Sequence, residues 1–232
     1  MNSRQLKSVN SNNTLDDLAD SCNYILKKNG LPQHSTEEIK YMVGNGIPKL
    51  IERAMCSVTM GTEISDNTKG TEINVIDSQL HKKLLSEYIE WYGEHSAIKT
   101  APYPGMLDLL VKLKKTGIKL AVNTNKVHSS AVDLCERYFA ELFDFVAGSR
   151  DGIAPKPSPE GVNQILVNLN IKADECVFIG DSDVDIQTGK NAGIDSIGVD
   201  WGFRGAAFLK AHGGEKIAYS CDELFNLIKN SQ

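Results

Sequence analysis

The feature that most constrains the fold is an alternation of short apolar runs with helix-length segments, which begins after residue 105. The apolar runs of strand length cover residues 118–122, 143–147, 176–179 and 195–199. Helix-length segments lie between most of these runs, and one helix is predicted over residues 128–139. Strands that are joined through helical crossovers form a parallel sheet with helices on both faces. The sequence therefore predicts an α/β core.

Before residue 100 the apolar residues instead recur at helical spacing, and the pattern predicts four helices. The second helix begins after Ser35 with acidic residues in its first turn. The third opens on Ile47 and Pro48, where proline suits a first helical turn. A polar loop that contains Gly61 and Gly70 separates the third helix from the fourth. No strand is predicted in this stretch.

Residues 1–15 fit neither pattern. They are polar and rich in Asn and Ser, which is typical of a disordered segment or a poorly formed strand. Three parts are therefore predicted: a degenerate or disordered N-terminal segment over residues 1–15, a helical domain over residues 16–98, and the α/β core over residues 99–232.

Net charge limits the classes of partner. The chain carries a formal charge of −5 at pH 7, which supplies no broad basic surface for a nucleic-acid backbone or an anionic membrane. No apolar run approaches the roughly 20 residues that a bilayer-spanning helix needs. We expect neither nucleic acid nor membrane as a partner, whereas a small anion can still bind a locally positive site.

The cysteines indicate the redox compartment. They are five in number, scattered and without a CxxC pair: Cys22, Cys56, Cys135, Cys176 and Cys221. An odd, scattered set argues against a disulfide framework or a zinc site. Because the N-terminus also lacks a hydrophobic signal region, we expect a cytoplasmic protein with reduced thiols.

Two polar clusters follow predicted strands. Thr124 and Asn125 can donate hydrogen bonds to phosphate oxygens at a strand end, or they can simply cap the following helix. Lys156 lies between Pro155 and Pro157, so its backbone is restricted and its ammonium loses little freedom when it engages a phosphate. It can equally be a solvated lysine in a turn.

A third cluster follows the apolar run at residues 176–179. Asp181 and Asp185 lie four residues apart where a helix is predicted to start. Mg²⁺ selects one or two carboxylates together with waters and substrate oxygens, so this pair favours a magnesium site. The alternative is that these acids serve only the helix dipole.

The order of these clusters resembles the haloacid dehalogenase superfamily. Its second, third and fourth motifs are matched by TNK at 124–126, PKPSP at 155–159 and GDSDVD at 180–185. Three further strings are similar to phosphoglycolate phosphatases: VGNGIPKLIERA at 43–54, PYPGM at 102–106 and DWGFRG at 200–205. The resemblance implies a Rossmann-like parallel sheet with an inserted four-helix cap domain, and it covers nearly everything after Leu15.

The resemblance also implies a reaction, which is hydrolysis of a phosphate monoester through a covalent aspartyl-phosphate. In that reading Thr124 and Asn125 would bind the transferring phosphoryl group, and Lys156 would neutralise its charge. Asp181 and Asp185 would hold or orient Mg²⁺.

Substrate recognition is implied for the helical domain. There Asn45 and Lys49 would contact the part of the substrate that is not phosphate, although the Asn45 segment also reads as a turn. The expected partner is a small phosphorylated metabolite, and the expected oligomeric state is a monomer or a homodimer.

The first motif of the superfamily, DxDGT, is missing. Counting back without gaps from Asp17 places Leu6 and Ser8 where the two aspartates belong, and the first acidic residue of the chain is Asp16. Three explanations stay open: a divergent strand around residues 5–9 in an inactive relative, an N-terminus that is not that of the active gene product, or a binding or regulatory role.

Other activities of the same fold fit less well. A phosphate-shifting mutase usually opens its fourth motif with Glu-Asp, whereas this chain has Gly180 and Asp181. A haloacid dehalogenase needs no metal and so leaves the carboxylates unexplained. The leading prediction is a phosphoglycolate-phosphatase-like hydrolase, and the alternative is a catalytically dead relative that binds a phosphorylated metabolite.

Overall fold

The computed structural model describes residues 6–8, 12–56 and 78–230. The chain divides into a helical unit, Leu15–Lys99, and an α/β unit formed by the described residues up to Thr14 together with those from Thr100 on. The predicted polar loop that contains Gly61 and Gly70 lies outside the described residues.

The helical unit contains, within its described residues, the four helices α1 (Leu15–Lys28), α2 (Thr36–Met42), α3 (Ile47–Met55) and α4 (Ser78–His95). Ser35 caps α2 in a capping box with Glu38, as its position before the acidic turn predicts. The apolar faces of the helices share one core, in which Ile25, Leu50 and Tyr88 are almost fully buried. Helical periodicity thus identified this unit because its buried residues lie on single helix faces.

The strands of the α/β unit are β1 (Leu6–Ser8), β2 (Asn12–Asn13), β3 (Ala101–Pro102), β4 (Lys119–Val127), β5 (Phe145–Ser149), β6 (Cys176–Gly180), β7 (Asp195–Val199) and β8 (Lys216–Ala218). Its helices are α5 (Met106–Lys115), α6 (His128–Phe139), α7 (Glu160–Leu169), α8 (Asp183–Ala192), α9 (Gly205–Ala211) and α10 (Cys221–Asn230). Short 3₁₀ turns lie at Ala140–Leu142 and Ala173–Glu175.

Six strands form one sheet in the order β5-β4-β1-β6-β7-β8, and every neighbouring pair is parallel. Side chains of alternating strand residues pack on opposite faces: Leu120 and Val177 join α5 and α10, whereas Ala121 and Phe178 join α7. The predicted parallel sheet with helices on both faces is confirmed. β2 and β3 form a separate antiparallel pair.

β1 occupies the centre of this sheet. Leu6 pairs with Lys119 of β4 and with Cys176 of β6, and Ser8 pairs with Ala121 and Phe178. This pairing agrees with the explanation in which a divergent strand forms around residues 5–9. It also gives the backbone groups of both neighbouring strands their partners.

Strand limits differ from the prediction at several places. The strand predicted over residues 143–147 forms two residues later, as β5 at Phe145–Ser149. β4 continues through the polar residues to Val127, although its regular pairing with β5 becomes irregular after Asn123. β8 was not predicted, because three residues give too short a pattern to read. Within the described residues, no helix is both long and apolar enough to cross a membrane.

Candidate active site

The predicted site residues of the α/β unit lie on three segments. Thr124 and Asn125 are in the last part of β4, Lys156 is in the loop after β5, and Asp181 and Asp185 follow β6. Because β4, β5 and β6 are parallel members of one sheet, their carboxyl ends share an edge. Ligands of open parallel sheets bind at such edges.

A buried ion pair joins two of these segments. The Lys156 ammonium Nζ lies 2.6 Å from Asp185 Oδ1, and the side chains are only 15% and 6% exposed. Burial by itself raises the pKa of the Asp185 carboxyl, but the Lys156 charge and the hydrogen bonds to this carboxylate outweigh burial and hold the pKa below its ordinary value. Asp185 is therefore an anion that fixes the position of a cation.

The second carboxylate oxygen of Asp185 accepts hydrogen bonds from groups at the start of α8. Asp185 Oδ2 accepts hydrogen bonds from the Ser182 hydroxyl at 2.6 Å and from the backbone N–H groups of Asp181 and Ser182 at 3.1 and 3.2 Å. The Ser182 hydroxyl in turn accepts from the Asp185 N–H, which completes a capping box at the start of α8. Ser182, which was not a predicted site residue, thus fixes the Asp185 rotamer.

Asn125 binds the backbone of the lysine loop. Its amide Nδ2 donates to the Lys156 carbonyl at 3.1 Å, and its Oδ1 accepts from the Lys156 N–H at 2.7 Å. The contacts therefore run without a break from Asn125 through Lys156 and Asp185 to the Asp181 backbone.

The Thr124 hydroxyl makes a local contact. Its Oγ1 accepts a hydrogen bond from the Lys126 N–H at 3.2 Å. A hydroxyl that accepts in this way keeps its proton for donation to another group. Thr124 immediately precedes Asn125 in β4, so it belongs to the same sheet edge as the lysine loop.

Asp181 is 2% exposed, and its side chain contacts the loop that follows β7. Its Oδ2 accepts from the Phe203 N–H at 2.9 Å. Burial raises the pKa of the Tyr103 phenol, and the nearby Asp181 charge raises it further. Sequence reasoning gave no role to Tyr103 or Phe203, although the strings PYPGM and DWGFRG that contain them had been singled out.

Two glycines let the backbone approach the carboxylates. A Cβ on Gly180 would overlap the side chain of Asp185, and a Cβ on Gly202 would overlap that of Asp181. These two positions need glycine because the carboxylates already fill the space.

Asn45 and Lys49 lie in the helical unit, where they make local contacts. Asn45 Oδ1 accepts from Arg53 Nη2 at 3.0 Å, and Lys49 Nζ lies 2.7 Å from Glu52 Oε1. Their suggested part in substrate recognition stays a prediction.

Comparison with known proteins identifies the family. The model of the haloacid dehalogenase-like hydrolases matches residues 12–199. The chain belongs to the haloacid dehalogenase-like hydrolases.

Within this family the chain is similar to phosphoglycolate phosphatases, which places it by descent among phosphoric monoester hydrolases. The phosphoglycolate phosphatase of Chromobacterium violaceum is 30% identical over 218 residues, which cover 94% of this chain and 91% of that protein. The enzyme of Psychrobacter arcticus is 30% identical over 195 residues, covering 82% and 79%. A crystal structure of a candidate phosphoglycolate phosphatase from Lactobacillus delbrueckii subsp. bulgaricus superposes with a TM-score of 0.87 at 31% identity, covering 97% and 98%.

Haloacid dehalogenase-like phosphatases generally use Mg²⁺. Mg²⁺ takes about six oxygens, of which proteins commonly supply one or two carboxylates. Asp185 is engaged by Lys156, and among the described residues no three His, Cys, Asp or Glu side chains converge. A single carboxylate such as that of Asp181 is compatible with an ion that keeps most of its waters. The roles of Asp181 and Asp185 as metal ligands stay predictions.

Proposed function

We propose that the α/β unit binds a small phosphate monoester together with Mg²⁺, at a site of the phosphoglycolate phosphatase type. The observation that carries this proposal is the buried Lys156–Asp185 pair beside Asp181. A cation that is fixed by a carboxylate at a sheet edge can receive a phosphate without reorganising. The relatives named above support the substrate class.

Lys156 is proposed to bind the phosphate directly. Its ammonium has three N–H donors, and the ion pair with Asp185 uses one of them. The other two can donate charge-assisted hydrogen bonds to phosphate oxygens. Because the side chain is mostly buried, these bonds would be stronger than those of a surface lysine.

Thr124 is proposed to donate a further hydrogen bond to the phosphate. The Lys126 N–H occupies one lone pair of its oxygen, so the hydroxyl proton is free to turn to an anion. Asp181 would hold Mg²⁺, and the bound ion would supply charge neutralisation of the phosphoryl oxygens. Asp185 would act on the site through Lys156.

The proposed substrate is 2-phosphoglycolate, on the basis of the phosphoglycolate phosphatases to which the chain is similar. Lys49 and Asn45 stay the candidates for recognising its carboxylate end, because an ammonium and an amide complement a carboxylate. A Lys49→Met protein that binds 2-phosphoglycolate as tightly as the unaltered chain would remove Lys49 from that role.

Turnover needs a group that attacks phosphorus. Residues 1–15 contain no aspartate or glutamate, and the central strand consists of Leu6, Lys7 and Ser8. We therefore propose that this polypeptide binds the phosphate monoester without forming an aspartyl-phosphate. Hydrolysis is the second candidate, and similarity to phosphatases over nearly the whole chain favours it.

One set of assays separates these proposals. Binding of orthophosphate and 2-phosphoglycolate would be measured by thermal shift with and without MgCl₂, and phosphate release would be measured in parallel. Binding without release supports the first proposal, whereas release that Asp181→Ala abolishes supports hydrolysis. Asp195→Ala is the matched control, because Asp195 is an exposed carboxylate paired with Lys216 at the start of β7. An intact mass would verify the N-terminus of the protein used.

A further inference from the structure

The loop that carries Lys156 is held at several points besides its ammonium. Glu160 accepts a hydrogen bond from the Ala154 N–H at 2.8 Å, and Asn191 Nδ2 donates to the Pro157 carbonyl at 2.8 Å. These two contacts come from α7 and α8 and bind residues on either side of Lys156. Both contacts are exposed, so water competes with them.

Asn125 makes a different kind of contact, because it binds the backbone of Lys156 itself. The amide donates to the Lys156 carbonyl and accepts from its N–H, at 3.1 and 2.7 Å, and both bonds are partly buried. Two bonds to one residue define both the distance and the orientation of its peptide groups relative to β4.

This geometry decides how much freedom the lysine retains. A lysine side chain has several rotatable bonds, so holding its charged end in one place costs conformational entropy. The ammonium lies 2.6 Å from Asp185 Oδ1, and a backbone that stays in place limits the rotamers that must be searched to reach this position. Fixing the backbone of Lys156 to β4 therefore sets where the charged end can reach.

We infer that Asn125 is a positioning residue, whose amide couples the strand that carries Thr124 to the loop that carries the phosphate-binding lysine. The effect of Asn125 on phosphate binding rests on the proposed function. Its effect on the position of the Lys156 ammonium does not. The resemblance to the superfamily implied that Asn125 would bind phosphate beside Thr124. In the structure both polar atoms of its amide contact the lysine loop instead.

The helical unit offers a matched control. Asn23 makes the same pair of contacts with the backbone of His34, donating to its carbonyl at 2.7 Å and accepting from its N–H at 2.8 Å. Both pairs are partly buried, and in each the asparagine lies in a regular element and binds the backbone of a residue in a loop. Asn23→Ala therefore removes equivalent bonds at a distance from the proposed site in the sequence, while Asn125→Ala removes those that hold Lys156.

The first measurement needs no ligand. In ¹H–¹⁵N NMR spectra of the full chain, a buried ammonium that is paired with a carboxylate gives a signal protected from solvent exchange, and Lys156→Met assigns it. Asn125→Ala should cause the loss of this signal, whereas Asn23→Ala should leave it in place. A retained Lys156 signal in folded Asn125→Ala protein would overturn the inference.

The second measurement tests the link to function with orthophosphate as the probe. By titration calorimetry, Asn125→Ala should bind orthophosphate roughly tenfold more weakly than the unaltered chain, which corresponds to about one charge-assisted hydrogen bond. Asn23→Ala should bind it equally well. If the unaltered chain binds no orthophosphate, the proposed function fails, and the NMR result still decides the role of Asn125.

Discussion

The sheet edge has two parts that are built very differently. At the end of β6, Asp181, Ser182 and Asp185 are buried and joined by hydrogen bonds. At the centre of the same sheet, β1 is three residues long and brings no carboxylate. The groups proposed to bind phosphate and the predicted position of the attacking carboxylate lie on different strands, so the proposed binding site can persist when the carboxylate is lost.

The largest expected effect of a substitution falls on the β6 part. Lys156→Met leaves the Asp185 carboxylate buried without its cation, which should lower the free energy of unfolding by about 3 kcal/mol. Urea denaturation would measure it, and Lys156→Met with Asp185→Asn should recover a large part of the loss.

The matched control is Lys216→Met. Its ammonium lies 2.7 Å from Asp195 Oδ2, much like the buried pair, but both side chains are exposed at 41% and 66%. An exposed pair contributes only about 0.5 kcal/mol. Equal losses in the two variants would contradict the view that burial makes the Lys156 pair important.

A somewhat smaller effect is expected where the backbone approaches Asp185. Gly180→Ala introduces a Cβ that overlaps this side chain, so the protein should lose about 2 kcal/mol of stability as the carboxylate shifts. Gly93→Ala is the control, because no heavy atom lies within 4 Å of its added Cβ and the residue is inside α4. That change should be neutral or stabilise by up to about 1 kcal/mol.

The serine capping boxes of α8 and α2 differ in burial, and their loss should differ in the same sense. Ser182→Ala removes both the helix cap and the 2.6 Å hydrogen bond to Asp185, which should cost about 1.5 kcal/mol in thermal or urea unfolding. Ser35→Ala removes the exposed cap of α2 and should cost about 0.5–1 kcal/mol. A larger loss for Ser35 than for Ser182 would contradict this ranking.

The smallest expected effect falls on β1. Ser8 lies at one of the two positions predicted for the missing aspartates, and Ser8→Ala should change neither orthophosphate affinity nor phosphate release. Thr124→Val is the contrasting variant, because losing a hydroxyl that binds an anion should weaken orthophosphate binding about tenfold. Weaker binding by Ser8→Ala would show that β1 still takes part in the site.

Much of the fold could be predicted because its signals are local. The helix at His128–Phe139 and the strand at Asp195–Val199 have the predicted limits, since their apolar residues keep one period throughout. The sequence predicted β1 only as one of several alternatives, because Leu6-Lys7-Ser8 has no strand pattern of its own. This segment is a strand because it pairs with β4 on one side and with β6 on the other. Such tertiary pairing overrides local propensity.

The candidate site, like the fold, could be predicted only in part. Lys156, Asp181 and Asp185 could be singled out because charged residues beside prolines or at a strand end carry a chemical signal. The role of Asn125 could not, because its contact with the lysine loop joins residues that are 31 positions apart. Ser182 and the Phe203 N–H are further contacts of this kind, and only the conformation of the chain reveals them.

Titration of 2-phosphoglycolate into the full chain in MgCl₂, followed by calorimetry, reports both binding and turnover in one trace. If the site binds the phosphate monoester without attacking it, a saturable binding heat returns to the baseline after each injection. A sustained heat of hydrolysis would show that the polypeptide still attacks phosphorus, and the absence of any binding heat would show that these side chains form no phosphate site.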